Sequence, residues 1–122
     1  MFGRDLVKPD FSRKPVYDNL YGKDGRWQTF NCSRCKSPVP IDLENYVGKA
    51  QDPEVVLDEI DGEAVKQHFG LLTKSLANGW PKFKTERCAN CNAEFLVYVA
   101  EFEPANGWRQ GVLQGITELA VK

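Results

Sequence analysis

The sequence has little with which to build catalysis, a membrane span or a cationic field. It holds one histidine, His68, so any charge relay or Cys/His pairing would have to pass through that residue. Set beside Phe69 in an amphipathic segment, His68 reads as structural or as a surface residue. Its longest unbroken apolar run, Phe95 to Ala100, is six residues, against the roughly 20 needed to cross a bilayer as a helix. The first nine residues, Met1 to Pro9, carry no apolar stretch of the kind found in an export signal, so the expected setting is a reducing, cytoplasmic one. Neither a Walker loop nor a dinucleotide glycine pattern occurs, and no Asp/Glu spacing fits a calcium loop, because Phe69 falls where one starting at Asp58 needs its last ligand. Overall charge is also small, −1 from 16 basic and 17 acidic residues, which excludes a protein-wide field for collecting phosphates.

What charge there is lies unevenly. Residues 1–36 sum to +4 and residues 65–122 to +2, whereas residues 37–64 sum to −7. The acidic block comprises Asp42, Glu44, Asp52, Glu54, Asp58, Glu59, Asp61 and Glu63. It reads as a solvated face, or as a docking surface for a basic protein partner, as in an inhibitor or immunity-type protein.

All four cysteines are paired at one spacing, Cys32-Ser33-Arg34-Cys35 and Cys88-Ala89-Asn90-Cys91, with none left over. Four thiolates suit a tetrahedral ion at about 2.3 Å per bond, and two intervening residues let the backbone turn while presenting two sulfurs to adjacent vertices. The reading is a structural Zn2+ held by Cys32, Cys35, Cys88 and Cys91, its shell filled and without room for an activated water, so the chain is expected to be non-enzymatic. Rubredoxin-type iron uses the same ligands and stays open, as do a redox-active Cys-x2-Cys and a disulfide framework, the last without an export signal to support it. Asn92, just past the second pair, tolerates a left-handed turn; Lys36, just past the first, does so poorly, so the second turn is expected to be the more regular.

The segments Phe30-Asn31-Cys32-Ser33-Arg34-Cys35-Lys36 and Glu86-Arg87-Cys88-Ala89-Asn90-Cys91-Asn92-Ala93-Glu94-Phe95 resemble the zinc-ribbon class. The likeness spans about a fifth of the chain and implies knuckles on hairpins, the second running into a strand. With 52 residues between Cys35 and Cys88, against 15–20 in the compact pattern, such a ribbon would be split by an insertion.

The expected fold is α+β in a single domain: a split zinc ribbon with a small antiparallel β-sheet and one main helix packed on it. Residues 1–25 read as an extended arm, 26–40 as the first knuckle, 41–80 as an acidic helical insertion, and 81–122 as the second knuckle with a β-hairpin. Val65, Phe69, Leu72 and Leu76 define one helical face that starts at Asp61 or Gly62 and stops at Asn78-Gly79. A shorter helix is expected over 53–60, opened by Pro53. Strands are expected over 26–31, 82–87, 94–102 and 108–119, the third apolar on both faces (Phe95/Val97/Val99 and Leu96/Tyr98/Ala100/Phe102) and therefore central. Ser37-Pro38-Val39-Pro40 should interrupt regular structure before a short strand or turn at Ile41, and Gly111 and Gly115 should mark bulges or close packing. A nucleic-acid role would draw on Trp27, Trp80 and Trp108 for stacking, with Arg26, Arg34, Lys36, Lys82, Lys84 and Arg87 for phosphates; filling of a small core is the competing use of these aromatics.

Overall fold

A computed structural model describes residues 2–10, 12, 14–22, 24–47, 62–70 and 79–119. Its strands are β1 (Phe2–Val7), β2 (Val16–Asp18), β3 (Trp27–Asn31), β4 (Pro38–Asp42), β5 (Trp80–Arg87), β6 (Glu94–Ala105) and β7 (Trp108–Leu119), with one α-helix, α1 (Gly62–His68), among the described residues. Short 3-10 turns lie at Asp24–Arg26 and Leu43–Asn45. The architecture is mainly antiparallel β with a helix on one side. No helix among the described residues is long and apolar enough to cross a membrane.

Strand β6 is the centre of the molecule, for the reason its sequence suggests. Phe95, Val97 and Val99 pack into one buried cluster with Phe30, Val39, Ile41, Leu43, Tyr46 and Val47. Leu96, Tyr98, Ala100 and Phe102 pack into another with Val65, Phe69, Phe83 and Val112. Alternation along a strand sends neighbouring side chains to opposite faces, so a strand apolar at every position must be covered twice. The β3–β4 hairpin covers one face and α1 the other.

The sheet runs β1-β7-β6-β5, with β2 also pairing with β7. The β6–β7 hairpin closes through Ala105↔Trp108, leaving Asn106-Gly107 as a two-residue turn with Gly107 at φ +82°. Between Tyr98↔Gly115 and Val99↔Leu113 the register slips by one, so Gln114 is an extra residue on β7. Both expectations for the glycines hold: a Cβ on Gly115 would lie 2.8 Å from Phe69 Cε1, and one on Gly111 only 2.2 Å from Val47 Cγ2.

The extended N-terminal segment expected over 1–25 contains two strands, since β1 and β2 both add to β7; β1 pairs with register shifts and β2 is three residues long, so neither leaves a legible period. Two expectations need correction. Pro38 and Pro40 do not stop a strand but lie inside β4, opposite Asn31 and Thr29. Cys32 N donates to Ser37 O in the same register, so by antiparallel alternation the proline positions are those whose backbone nitrogens face away from β3. No ladder bond is lost. Finally, α1 ends at His68, and Gly70 at φ +74° turns the chain where the expected helix would continue unbroken. Val65 and Phe69 are buried as expected; Leu72, Leu76 and the expected helix over 53–60 lie outside the described residues.

His68 has a structural place. Its Nε2 lies 2.8 Å from Asp5 Oδ1 and its ring stacks on Phe2 with centroids 4.4 Å apart, tying α1 to β1.

Candidate metal centre

Each cysteine pair sits at the tip of a hairpin, and the two tips are built alike. Arms β3 and β4 end on the pair Asn31↔Pro38, and β5 and β6 on Arg87↔Glu94. Six residues intervene each time. In the first tip Cys32 N donates to Ser37 O at 2.8 Å and Lys36 N to Cys32 O at 3.0 Å. In the second, Cys88 N donates to Ala93 O at 2.9 Å and Asn92 N to Cys88 O at 2.9 Å. Lys36 and Asn92 adopt φ of 64° and 63°. The knuckles are therefore equally regular, which corrects the expectation that Lys36 would distort the first. A left-handed Lys costs about 1 kcal/mol or more, offset here by the closing bonds of the turn and by Lys36 Nζ donating to Ser33 O at 3.3 Å.

The fold brings these tips together across 52 residues. All four Sγ atoms lie within 4.8 Å of one another, with Cys32 3.5 Å from Cys91 and Cys35 3.5 Å from Cys88. A tetrahedron with 2.3 Å bonds has edges of about 3.8 Å, so the sulfurs are spaced as a single thiolate-bound cation requires. Cys32 and Cys88 are buried, Cys35 is half-buried and Cys91 reaches the surface.

Donors around the sulfurs favour negative charge on them. The Cys35 and Arg34 amides hold the Cys32 thiol below its ordinary range, and Arg34 N lies 3.4 Å from its sulfur. The Ser37 hydroxyl, the Asn90 side chain and the Ser37 amide bring Cys35 down to about 5. Asn90 Nδ2 also donates to Ser37 Oγ at 3.1 Å, joining one knuckle to the other. Cys91 goes the opposite way: the Ala93 amide favours its thiolate, but burial and the three neighbouring sulfurs outweigh it and push it up to about 12. Four thiolates at this separation need a cation at their centre to ionise together. The donor set thus fits a soft divalent metal.

Two ion pairs and one hydrogen bond lie around the tips. Arg34 Nε lies 2.6 Å from Glu118 Oε1, fastening the first knuckle to β7. The Glu118 carboxylate, with the Cys91 and Cys32 sulfurs adding, raises the Arg34 guanidinium above its ordinary value, and Arg34 in turn lowers Glu118. Arg87 pairs with Glu94 at 2.8 Å across the base of the second tip. Tyr46 Oη donates to Glu86 at 2.8 Å, joining the turn after β4 to β5. Sequence reading identified the four sulfurs but missed Ser37, Asn90 and Glu118. The first two could have been found as polar residues inside the six-residue tips; Glu118, 27 residues beyond Cys91, carried no local signal.

The other candidate residues differ in exposure and in pairing. Trp108 is half-buried and donates Nε1–H to Asp18 Oδ2 at 2.7 Å, whereas Trp27 and Trp80 are exposed. Of the six basic residues, Arg26, Arg34 and Arg87 are paired with carboxylates: Asp42 and Glu44, Glu118, and Glu94. Of the acidic block, Asp42 and Glu44 meet Arg26, Glu63 lies 3.8 Å from Lys66, and residues 52–61 lie outside the described residues. Compared with protein-family models, curated proteins and solved structures, the chain matches none.

Proposed function

We propose that this chain is a non-enzymatic interaction module whose fold is closed by a structural Zn2+ on Cys32, Cys35, Cys88 and Cys91, in the manner of a zinc ribbon split by a long insertion. The observation that carries this reading is the convergence of all four sulfurs within 4.8 Å from two matching hairpin tips. Zinc supplies positive charge and a tetrahedral tie; with four protein ligands no coordination position is left for substrate, which supports a structural role. A redox pair needs only two sulfurs, so the second knuckle would have no use. Binding of a structural zinc contributes on the order of 10 kcal/mol, comparable to the net stability of a whole domain.

A macromolecular protein partner is favoured over nucleic acid because half of the candidate phosphate ligands are already neutralised by carboxylates. The acidic segment 42–63 remains the candidate surface for a basic partner, and the cytoplasm the proposed setting. Metal analysis of protein purified without added metal tests the reading: one zinc per chain, lost together with cooperative unfolding when the four cysteines become serine, is expected. Metal-free protein with a sharp melt would refute it.

A further inference from the structure

The two hairpins that carry the knuckles differ at their outer edges. In the first, Pro38 and Pro40 occupy the outward-facing positions of β4 and close that edge. In the second, the matching edge of β6 is taken by β7. The strand before the second knuckle, β5, ends the sheet and is paired on one side only among the described residues. It is eight residues long. Cys88 N donates to Ala93 O in the β5–β6 register, so alternation assigns Glu86, Lys84 and Lys82 to the bonds with β6. Pro81, Phe83, Thr85 and Arg87 then turn their backbone groups outward. Pro81 guards one end, and three free donor–acceptor residues follow.

The side chains along this edge are self-complementary. We propose that β5 pairs antiparallel with β5 of a second copy of this chain, about a two-fold axis through Thr85, making one continuous sheet across the dimer. In that register Phe83 exchanges backbone bonds with the partner's Arg87, Thr85 with the partner's Thr85, and Arg87 with the partner's Phe83. On one face Lys84 lies opposite the partner's Glu86, and the symmetry repeats the pair. Among the described residues Lys84 has no ion partner, and Glu86 receives the Tyr46 hydroxyl but no cation. Centring the axis on Lys84 would set two lysines face to face, so charge selects the Thr85 register. The same register carries Trp80, 55% exposed, toward the partner's second knuckle. An isologous contact of this kind closes on itself and uses up the β5 edge of both copies.

Sedimentation equilibrium of the full chain tests the proposal. A monomer–dimer equilibrium with a dissociation constant on the order of 10 µM is expected for so small a contact. Thr85→Pro removes an outward N–H that β6 does not use, so it should leave the melt in place and abolish the dimer. Lys84→Glu sets like charges opposite each other twice and should weaken association at least about tenfold. Adding Glu86→Lys to it restores opposite charges and should recover the dimer. A chain monomeric up to millimolar concentration overturns the proposal, as does a dimer that folded Thr85→Pro and Lys84→Glu leave unchanged. A folded charge-swapped double variant that stays monomeric overturns the register. If Thr85→Pro does not fold, Lys84→Glu and the double variant decide the matter.

Discussion

Asp18 and Trp108 stand ninety positions apart in the chain, yet the indole Nε1–H donates to Asp18 Oδ2 at 2.7 Å. The same carboxylate accepts from Leu20 N at 2.8 Å and Tyr21 N at 3.1 Å, and more weakly from Gln110 Nε2 at 3.3 Å. One buried anion thus shapes the turn after β2 and fixes it to the β6–β7 hairpin. Burial opposes the charge, but the Trp108 indole and the Leu20 and Tyr21 amides outweigh it and hold Asp18 below the usual carboxylate range.

Asp18→Ala should therefore cost about 3 kcal/mol, since it strands buried donors as well as removing the acceptor. Urea titration of both proteins checks this. Because the folded-state pKa lies below the unfolded value of about 3.9, this contribution is fully present above that value and is lost as pH falls through the folded pKa. The difference in midpoint between wild type and Asp18→Ala should narrow on acidification below about pH 4; a constant gap would show that the charge is irrelevant.

Gly111 offers a sharper test of packing. A methyl group there would meet Val47 Cγ2 at 2.2 Å, so Gly111→Ala should destabilise by about 2 kcal/mol through overpacking. Trimming the neighbour in Gly111→Ala/Val47→Ala should cost less than the sum of the two single changes, with a coupling of about 1 kcal/mol. Strict additivity in the double-mutant cycle would mean that the two side chains do not meet.

On the opposite face of the sheet, Phe69 touches Phe83 and Tyr98, with ring centroids 5.7 and 5.4 Å away. Phe69→Ala should cost about 3–4 kcal/mol while leaving metal stoichiometry at one per chain, because the cluster it empties is separated from the knuckles by β6. Loss of metal in a variant that still folds would show the two layers to be coupled.

Chelation addresses the other layer. Removing the metal should collapse the near-UV signal and the cooperative melt together, and equimolar zinc should restore both. Arg34→Gln, which breaks the link to Glu118 and removes a positive charge felt by the Cys91 and Cys32 sulfurs, should leave the melt within about 1 kcal/mol of wild type and lower zinc affinity by about tenfold. Competition against a chromophoric chelator measures the latter, and unchanged affinity would remove Arg34 from any part in the centre.

Much of this arrangement was legible from residues alone, where a single strong constraint acts. The repeated cysteine spacing marked both knuckles, and the doubly apolar run of β6 marked the strand buried on both sides. Legibility failed where a rule depends on which side of a strand faces outward. Pro38 and Pro40 read as breakers because sequence does not say that their nitrogens point away from β3. Lys36 read as a misfit because its penalty is intrinsic, while the bonds that offset it are made only in the closed turn. The strands β1 and β2 carry no period because their pairing with β7 is irregular and short, and Gly70, which turns the chain after α1, sits inside an apolar period that the sequence continues past it. Ser37, Asn90 and Glu118 are set around the sulfurs by tertiary contact.

Strand β7 binds β6 along one edge and both β1 and β2 along the other, and it is the last of the described elements to leave the ribosome. The opening segments of the chain must therefore wait, unpartnered, for a strand made roughly ninety residues later. Closure of this sheet therefore waits on β7, and a nascent chain halted before that strand would leave a backbone edge of β6 open to chaperones or to its neighbours.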